Sequence, residues 1–282
     1  MNRGSETGRV ILVTGAANGI GAAIATTAIA RGHQVMLTDI DEKAVHALAR
    51  HLGSRAAGFH LDVRDPAGWA KAFDAAEAKF GGVDVLVSNA GIIHTGNMRD
   101  LSLEQHRHVV EVNLLGTIAG FHTAIGRMTS QGRGHIITVC SMTSFLPLSG
   151  YATYGSTKHA VRAFHHSVAI EERSSPINFT IVHPPSTQTK MLEQEKADPS
   201  SVIAFAEKAH TPEEIAEVVV KAIDTKPIEV VFPPFAGRFQ RVAGVFPWLM
   251  HRVLPHVEAR GRRQRERLMK SETNPDTNTT VS

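Results

Sequence analysis

The chain has 282 residues, 42% of them hydrophobic and 20% charged, with one cysteine and a formal net charge of +3. That length suits one large α/β domain with a sizeable core. The lone Cys140 excludes an intramolecular disulfide framework and a metal site built from cysteines alone. The polar start and the lack of a run of roughly eighteen apolar residues lead to the expectation of a cytoplasmic protein without a spanning helix.

Short β-branched runs occur at Arg9–Thr14, Gln34–Thr38, Ala57–Leu61, Val83–Ser88, Gly134–Ser141, Asn178–His183 and Ile228–Phe232. Between them lie longer amphipathic or alanine-rich stretches: Gly21–Arg31, Glu42–His51, Pro66–Phe80, Ser102–Ser130, Thr157–Arg173 and Pro212–Asp224. Short strands alternating with helices predict a Rossmann-type α/β fold, a doubly wound parallel sheet of about seven strands with helices on both faces. Residues 1–8 and 271–282 are expected to be disordered, 9–232 to form the domain, and 233–270 an appendage.

After the first run comes Thr14-Gly15-Ala16-Ala17-Asn18-Gly19-Ile20-Gly21, leading into a helix. Glycines there permit a tight turn and let backbone N–H groups approach a pyrophosphate at the positive helix end. Asp39 ends the second run, eighteen residues beyond Gly21. A carboxylate at that place accepts hydrogen bonds from adenosine ribose hydroxyls and repels a 2′-phosphate, which predicts NAD over NADP. An ordinary strand-end acid is the alternative reading of Asp39.

The glycine spacing is Gly-x-x-x-Gly-x-Gly, and a second motif, Tyr154-x-x-x-Lys158, lies downstream. Together they resemble the short-chain dehydrogenase/reductase family over Arg9 to about Asp224. The resemblance implies that Gly15, Asn18, Gly19, Ile20 and Gly21 form the phosphate loop. It implies that Asp62 and Val63 contact adenine, and that Asn89, Ala90 and Gly91 line the cofactor groove. It also implies a catalytic set of Asn113, Ser141, Tyr154 and Lys158. An ordinary tyrosine, with a pKa near ~10, is a poor base at neutral pH. A lysine at i+4 shares its helix face and favours the phenolate. In the family the lysine also holds the nicotinamide ribose. Ser141 would bond the substrate oxygen, and Asn113 would hold a relay water.

Many members follow the sixth strand with Pro-Gly and then a threonine that locks the carboxamide. Here the stretch reads Pro184-Pro185-Ser186-Thr187-Gln188-Thr189. Thr189 matches, whereas Pro185 removes an N–H and leaves a Pro-Pro bond open to either isomer. Lys190–Lys208 should then be the substrate lid. Apolar residues there, with Ile93, Met142, Phe145 and Leu146, lean towards a lipophilic alcohol or ketone. Sixteen histidines show no compact ligand spacing, so no metal is expected. Cys140 reads as a small core residue.

Phe232–Lys270 carries nine Lys/Arg against Glu258 and Glu266, a net +7 that leaves −4 for the rest of the chain. Beside that basic run lie Phe246, Trp248, Leu249, Met250 and Leu254. Such a segment suits peripheral contact with an anionic membrane through 239–270 or packing in an oligomer. Nucleic acid is not expected, since no accompanying module is present. A homo-oligomer, dimer or tetramer, follows from the family resemblance, packed through the helices around Leu103–Ser130 and Thr157–Arg173. The prediction is thus an NAD-dependent oxidoreductase interconverting a lipophilic alcohol and its ketone or aldehyde. Two alternatives stay open: an NADPH-dependent ketone reductase, and a non-catalytic dinucleotide-binding scaffold.

Overall fold

Successive residues of the first strand face two different cores, and this alternation builds the molecule. The computed structural model describes residues 8–234 and 247–273. In chain order the strands are β1 (Val10–Thr14), β2 (Gln34–Asp39), β3 (Ala56–His60), β4 (Val85–Ser88), β5 (Gly134–Val139), β6 (Ile177–His183) and β7 (Glu229–Val231). They form one parallel sheet in the order β3-β2-β1-β4-β5-β6-β7. Ile11 and Val13 pack with Val35, Leu37, Val85, Val87 and Ile137 on one face. Val10 and Leu12 pack with Met36, Leu86 and Ile136 on the other. A strand places alternate side chains on opposite faces, so a sheet covered on both sides needs continuous apolar runs.

The first face is covered by α1 (Gly19–Ala30), α2 (Glu42–Leu52) and α8 (Pro212–Thr225), through Ile24, Val45, Ile215 and Val219. The second is covered by α3 (Pro66–Phe80) and α5 (Gly116–Gln131), through Trp69, Phe73, Phe121 and Met128. Each large apolar side chain so buried contributes roughly 1.5–3 kcal/mol. α8 starts where the sequence signals it, with a Thr211–Glu214 capping box and Pro212 in the first turn.

Most element boundaries shift by a residue or two from the sequence reading, and four differences bear on the argument. The stretch expected as one helix is α4 (Leu103–Val110), a π-helical turn (Glu111–Leu115) and α5. The next helix, α6 (Ala152–Glu171), begins at Ala152 rather than Thr157, so it holds both Tyr154 and Lys158. β5 stops at Val139, leaving Ser141 in the turn beyond it. Finally, α9 (Pro247–Thr273) continues past residue 270. The remaining tail call, 274–282, and most of the N-terminal one, 1–7, lie outside the described residues, as do 235–246 of the appendage.

Leu103–Gln131 is long and apolar enough for a membrane span, with a mean hydropathy of 1.3. Glycine, threonine and histidine break up its apolar run, which hid the property in the sequence. Its hydropathy has a core explanation, since Phe121, Ala124 and Met128 are committed to the sheet-facing cluster.

Candidate active site

The order of strands reverses direction between β1 and β4, where the chain crosses from one half of the sheet to the other. Crevices at the carboxyl ends of strands beside such a point are where open α/β sheets bind ligands. The Gly15–Gly21 loop lies there. Gly15 has a φ of +65° and a Cβ on it would meet Ala90 Cα at 2.9 Å. A Cβ on Gly21 would overlap the Gly15 carbonyl oxygen. Side chains are thus excluded at Gly15 and Gly21 by neighbouring backbone. α1 starts without a side-chain cap on Asn18 and without an acid in its first turn. Its first N–H groups therefore keep their donor capacity, the arrangement that receives an anion.

Asn89, at the end of β4, holds this loop. Its Nδ2 donates to the carbonyls of Thr14 (2.9 Å) and Gly15 (3.2 Å), and the N–H groups of Asn89 and Ala90 donate to Thr14 Oγ1, both at 3.0 Å. Asp39, ending β2, accepts from Ala17 N and from Asp41 N, each at 3.0 Å. Each carboxylate oxygen offers two lone-pair sites, so both retain capacity for a further donor. Asp62 is engaged by Arg64 at 2.6 Å. That bond, with a smaller opposing push from burial, holds its carboxyl below the usual range. Val63 is buried, with its carbonyl bonded to Trp69 Nε1 at 2.9 Å.

Tyr154, in the first turn of α6, and Lys158, one turn later, share a helix face. Lys158 Nζ sits 5.5 Å from the Tyr154 ring centre, and the Ser141 hydroxyl lies close enough to the phenol to favour its ionised form. Asn113 is the buried residue of the π turn. Its Oδ1 accepts from Ile92 N at 2.8 Å, and its Nδ2 donates to the Ile92 carbonyl at 3.0 Å and to Thr157 Oγ1 at 3.3 Å. Gly91 stands between the two halves: a Cβ there would lie 3.4 Å from Asn113 Oδ1 and 3.5 Å from Lys158 Nζ. Asn113, Ser141, Tyr154 and Lys158 therefore converge, although they come from three separate segments.

The electrostatics depart from the sequence expectation. Burial first, and then the Glu195 carboxylate, push the Tyr154 phenol up; the Ser141 hydroxyl opposes them without winning. Burial also lowers the Lys158 ammonium. Desolvation is the largest influence on both groups. Tyr154 rests as a neutral phenol.

The Pro184–Thr189 stretch forms despite Pro185. Among the described residues only Phe232–Pro233 is cis, so the Pro184–Pro185 bond is trans. The Pro184 carbonyl accepts from Met142 N at 3.0 Å. His210 N donates to the Ser186 carbonyl at 2.9 Å, and Gln188 N to the His210 carbonyl at 2.8 Å. Thr189 caps the lid helix α7 (Lys190–Ala197), accepting from Leu192 N at 3.4 Å. Its methyl carbon lies 3.1 Å from where a Cβ on Gly19 would stand, so the loop and the lid meet at Thr189.

Ser141 and Tyr154 open into a cavity of about 320 Å³, lined by apolar side chains including Met142, Leu146, Met191 and Ile203. Ile20 and Thr189 border it on the loop side. Ile93, expected near the pocket, packs against two residues of its lining, Tyr151 and Tyr154, and Phe145 packs against His183. Cys140 is buried as expected, yet its atoms also border the cavity.

Several groups escaped the sequence. Glu195 of α7 lines the cavity; burial pushes its carboxyl up to about 7, with the nearby Tyr151 hydroxyl opposing the shift. Tyr151 Oη is buried without a well-formed partner, facing Glu195 and Ser201. Behind Ser141, His183 hydrogen-bonds the Ser141 carbonyl (3.1 Å), Ser144 Oγ (2.9 Å) and Glu229 Oε1 (3.1 Å). Burial pushes the Glu229 carboxyl up, but the bonds from His183 and Arg162 prevail and hold it well below the usual range. Val253, Leu254 and Val257 of α9 also line the cavity. Their helical spacing was available in the sequence; what they face was not. No group of three or more potential metal ligands occurs among the described residues.

Residues 9–200 match the family model described as short chain dehydrogenase. The chain belongs to that family. A relative from Mycobacterium tuberculosis, named 3-alpha-(or 20-beta)-hydroxysteroid dehydrogenase, is 35% identical over 214 residues, covering 76% of this chain and 81% of the relative. A 3-beta-hydroxysteroid dehydrogenase of Comamonas testosteroni is 32% identical, covering 76% and 87%. Among solved structures, the 3-ketoacyl-(acyl-carrier-protein) reductase of Brucella melitensis, complexed with NADH, superposes with a TM-score of 0.72 at 26% identity, covering 80% of this chain and 97% of that one. Membership makes the chain an oxidoreductase of the dehydrogenase/reductase type, acting on hydroxyl groups or the corresponding carbonyls.

Proposed function

We propose that this protein is an NAD-dependent dehydrogenase that interconverts a lipophilic alcohol and its ketone or aldehyde. The observation that carries this reading is the convergence of Ser141, Tyr154 and Lys158 on an apolar cavity that adjoins the glycine loop. A non-catalytic scaffold has no use for that convergence.

The chain's own residues fit a dinucleotide. The bare Gly15–Gly21 turn and the uncapped start of α1 suit a pyrophosphate. Asp39 keeps lone pairs for ribose hydroxyls at the end of β2 and places negative charge where a 2′-phosphate would lie, which favours NAD over NADP. Asp62 and Val63 flank the adenine side, and Thr189 the nicotinamide side. Bound NAD supplies the hydride acceptor, and its reduced form the donor.

Tyr154 is the acid/base. As a neutral phenol it is ready to donate a proton to a carbonyl oxygen; taking one from an alcohol requires added positive charge beside the ring. Ser141 positions the reacting oxygen and stabilises charge developing there. Lys158 holds ribose hydroxyls and, with Asn113, passes the proton on. The His183–Glu229 pair fixes the turn that carries Ser141.

Leu115, Ile118 and Ile170 are exposed apolar residues on the π turn, α5 and α6, which supports association through the helices expected to pair in an oligomer. Peripheral membrane contact through 239–270 has less support, because Val253, Leu254 and Val257 face the cavity.

Fluorescence titration with NADH and, separately, NADPH tests the cofactor without a guess at substrate. Tighter NADH binding, followed by NAD-dependent oxidation of apolar alcohols, is the expected result. Tighter NADPH binding would transfer the reading to a ketone reductase, and binding of neither would favour the scaffold.

A further inference from the structure

Val253, Leu254, Val257, Gly261 and Arg265 recur every three or four residues, so they share one face of α9. Arg252, Arg260, Arg262, Arg263 and Arg267 are all exposed on the rest of the helix, whereas Gly261 is buried. The buried face lies across the 3₁₀ turn Ile203–Phe205 that follows α7. Gly261 marks the closest approach. A Cβ built there would overlap the Val202 carbonyl oxygen, so any side chain would lift the helix away. One turn later, Arg265 Nε donates to the Lys196 carbonyl at 2.9 Å. Carbonyls in the last turn of a helix lack an intrahelical partner and attract cations, so this bond satisfies the end of α7. α9 is thereby joined through backbone groups to both parts of the lid. Within two turns before that clamp, Val253, Leu254 and Val257 border the cavity that holds Ser141 and Tyr154.

We infer that α9 is the substrate-selecting wall of the active site, and that the substrate is a bulky apolar alcohol or ketone whose non-reacting part rests on Val253, Leu254 and Val257. This rests on the dehydrogenase reading. A cavity of about 320 Å³ lies within the size range of sites that enclose ligands of many heavy atoms. A small alcohol at Ser141 and Tyr154 leaves the α9 wall unfilled. A large apolar one removes that surface from water, each buried methylene contributing about 0.8 kcal/mol.

The full chain is tested with NAD and two probes, cyclohexanol and a 3α-hydroxysteroid. Leu254→Ala and Val257→Ala are expected to raise KM for the steroid by about tenfold, the scale of methylene-sized changes in an apolar pocket. The steroid kcat and the cyclohexanol kcat/KM stay within about twofold, because the reacting groups are untouched. Gly261→Leu, which undocks the whole wall, has the same signature with a larger KM effect. Calorimetric titration of the steroid into NADH-loaded protein reads the wall without turnover. Steroid that binds but is not oxidised, with binding weakened about tenfold by Leu254→Ala, keeps the wall and removes the dehydrogenase reading for this class. Unchanged steroid KM and Kd in all three variants overturns the wall, whether or not the steroid is oxidised.

Discussion

The two ends of the cavity are built in opposite ways. On the cofactor side, β1, the glycine loop, α1 and β2 follow one another in the chain, and Asp39 bonds Ala17 only 22 residues away. On the substrate side, the wall combines Met142 and Leu146 with Met191, Ile203, Leu254 and Val257, drawn from segments more than a hundred residues apart. The first end is a local device whose residue types follow from the backbone shape they must adopt. The second is an assembly in which almost any apolar residue serves, provided that distant elements bring it there. Family members can therefore keep one end and change the other, and a sequence reading succeeds at the first and fails at the second.

The sharpest way to break this comparison is at the seam. Tyr154→Phe is expected to lower kcat by about 10²–10⁴-fold, the usual worth of a positioned acid/base, while NADH binding changes by less than about twofold because the loop is untouched. Stopped-flow turnover with a parallel fluorescence titration checks it; wild-type turnover in the variant removes Tyr154 from the chemistry.

A smaller effect is expected on the cofactor side. Asp39→Ala combined with Ile40→Arg, at an exposed neighbour, should swing the NADH-to-NADPH preference by about 10–100-fold. That is the scale of a hydrogen bond to a charged group, ~1.5–3 kcal/mol. The ratio of dissociation constants reads it, and an unchanged ratio would mean that Asp39 serves only to hold Ala17 and Asp41.

The substrate side carries its own signature, in pH. Glu195 has a carboxyl raised to about 7 in the folded protein, against roughly 4.3 for an unperturbed glutamate. Below the lower value both states are protonated and burial costs nothing. As pH rises between the two, the unfolded chain releases a proton that the folded one retains, so stability falls and stays lower above the folded value. Glu195→Gln removes this loss. Its advantage in Tm over wild type should grow by about 2 °C or more from pH 5 to pH 8. A pH-independent difference in thermal melts would place Glu195 in water rather than in the cavity wall.

The smallest effect belongs to Thr211→Ala, which deletes half of the α8 capping box. It should cost ~1 kcal/mol, with a range of about 0.5–2. NADH and steroid binding should both stay at wild-type values, since no α8 residue lines the cavity. A loss of either would show that the two ends are coupled through that core.

How much was legible follows from the same contrast. The glycine turn between β1 and α1, Asp39 at the end of β2 and the shared helix face of Tyr154 and Lys158 were readable because residue types at fixed spacing within a strand–turn–helix unit encode that placement. The start of α6 at Ala152 was misjudged because Gly150 and the Tyr151-Ala152-Thr153 run give no capping signal; α6 begins with no side-chain cap. The π turn around Asn113 was invisible because nothing in Val112-Asn113-Leu114 departs from an ordinary amphipathic helix. Burial, which pushes the Tyr154 phenol up and the Lys158 ammonium down, was not visible because it is a property of the folded environment rather than of spacing.

By itself the sequence determined the parallel strands, the glycine turn after β1 and the identity of the four converging polar residues. Alternation and helical periodicity encode which face is buried, and glycine or tyrosine at a given place encodes local geometry and chemistry. Only the tertiary structure decided where the C-terminal segment goes. An apolar and basic helix fits a membrane, a partner subunit or its own lid equally well by composition. The choice rested on the close approach of Gly261 to the Val202 carbonyl and on the Arg265–Lys196 bond. Both contacts span about 60 residues or more, and neither leaves a periodicity that could be read along the chain.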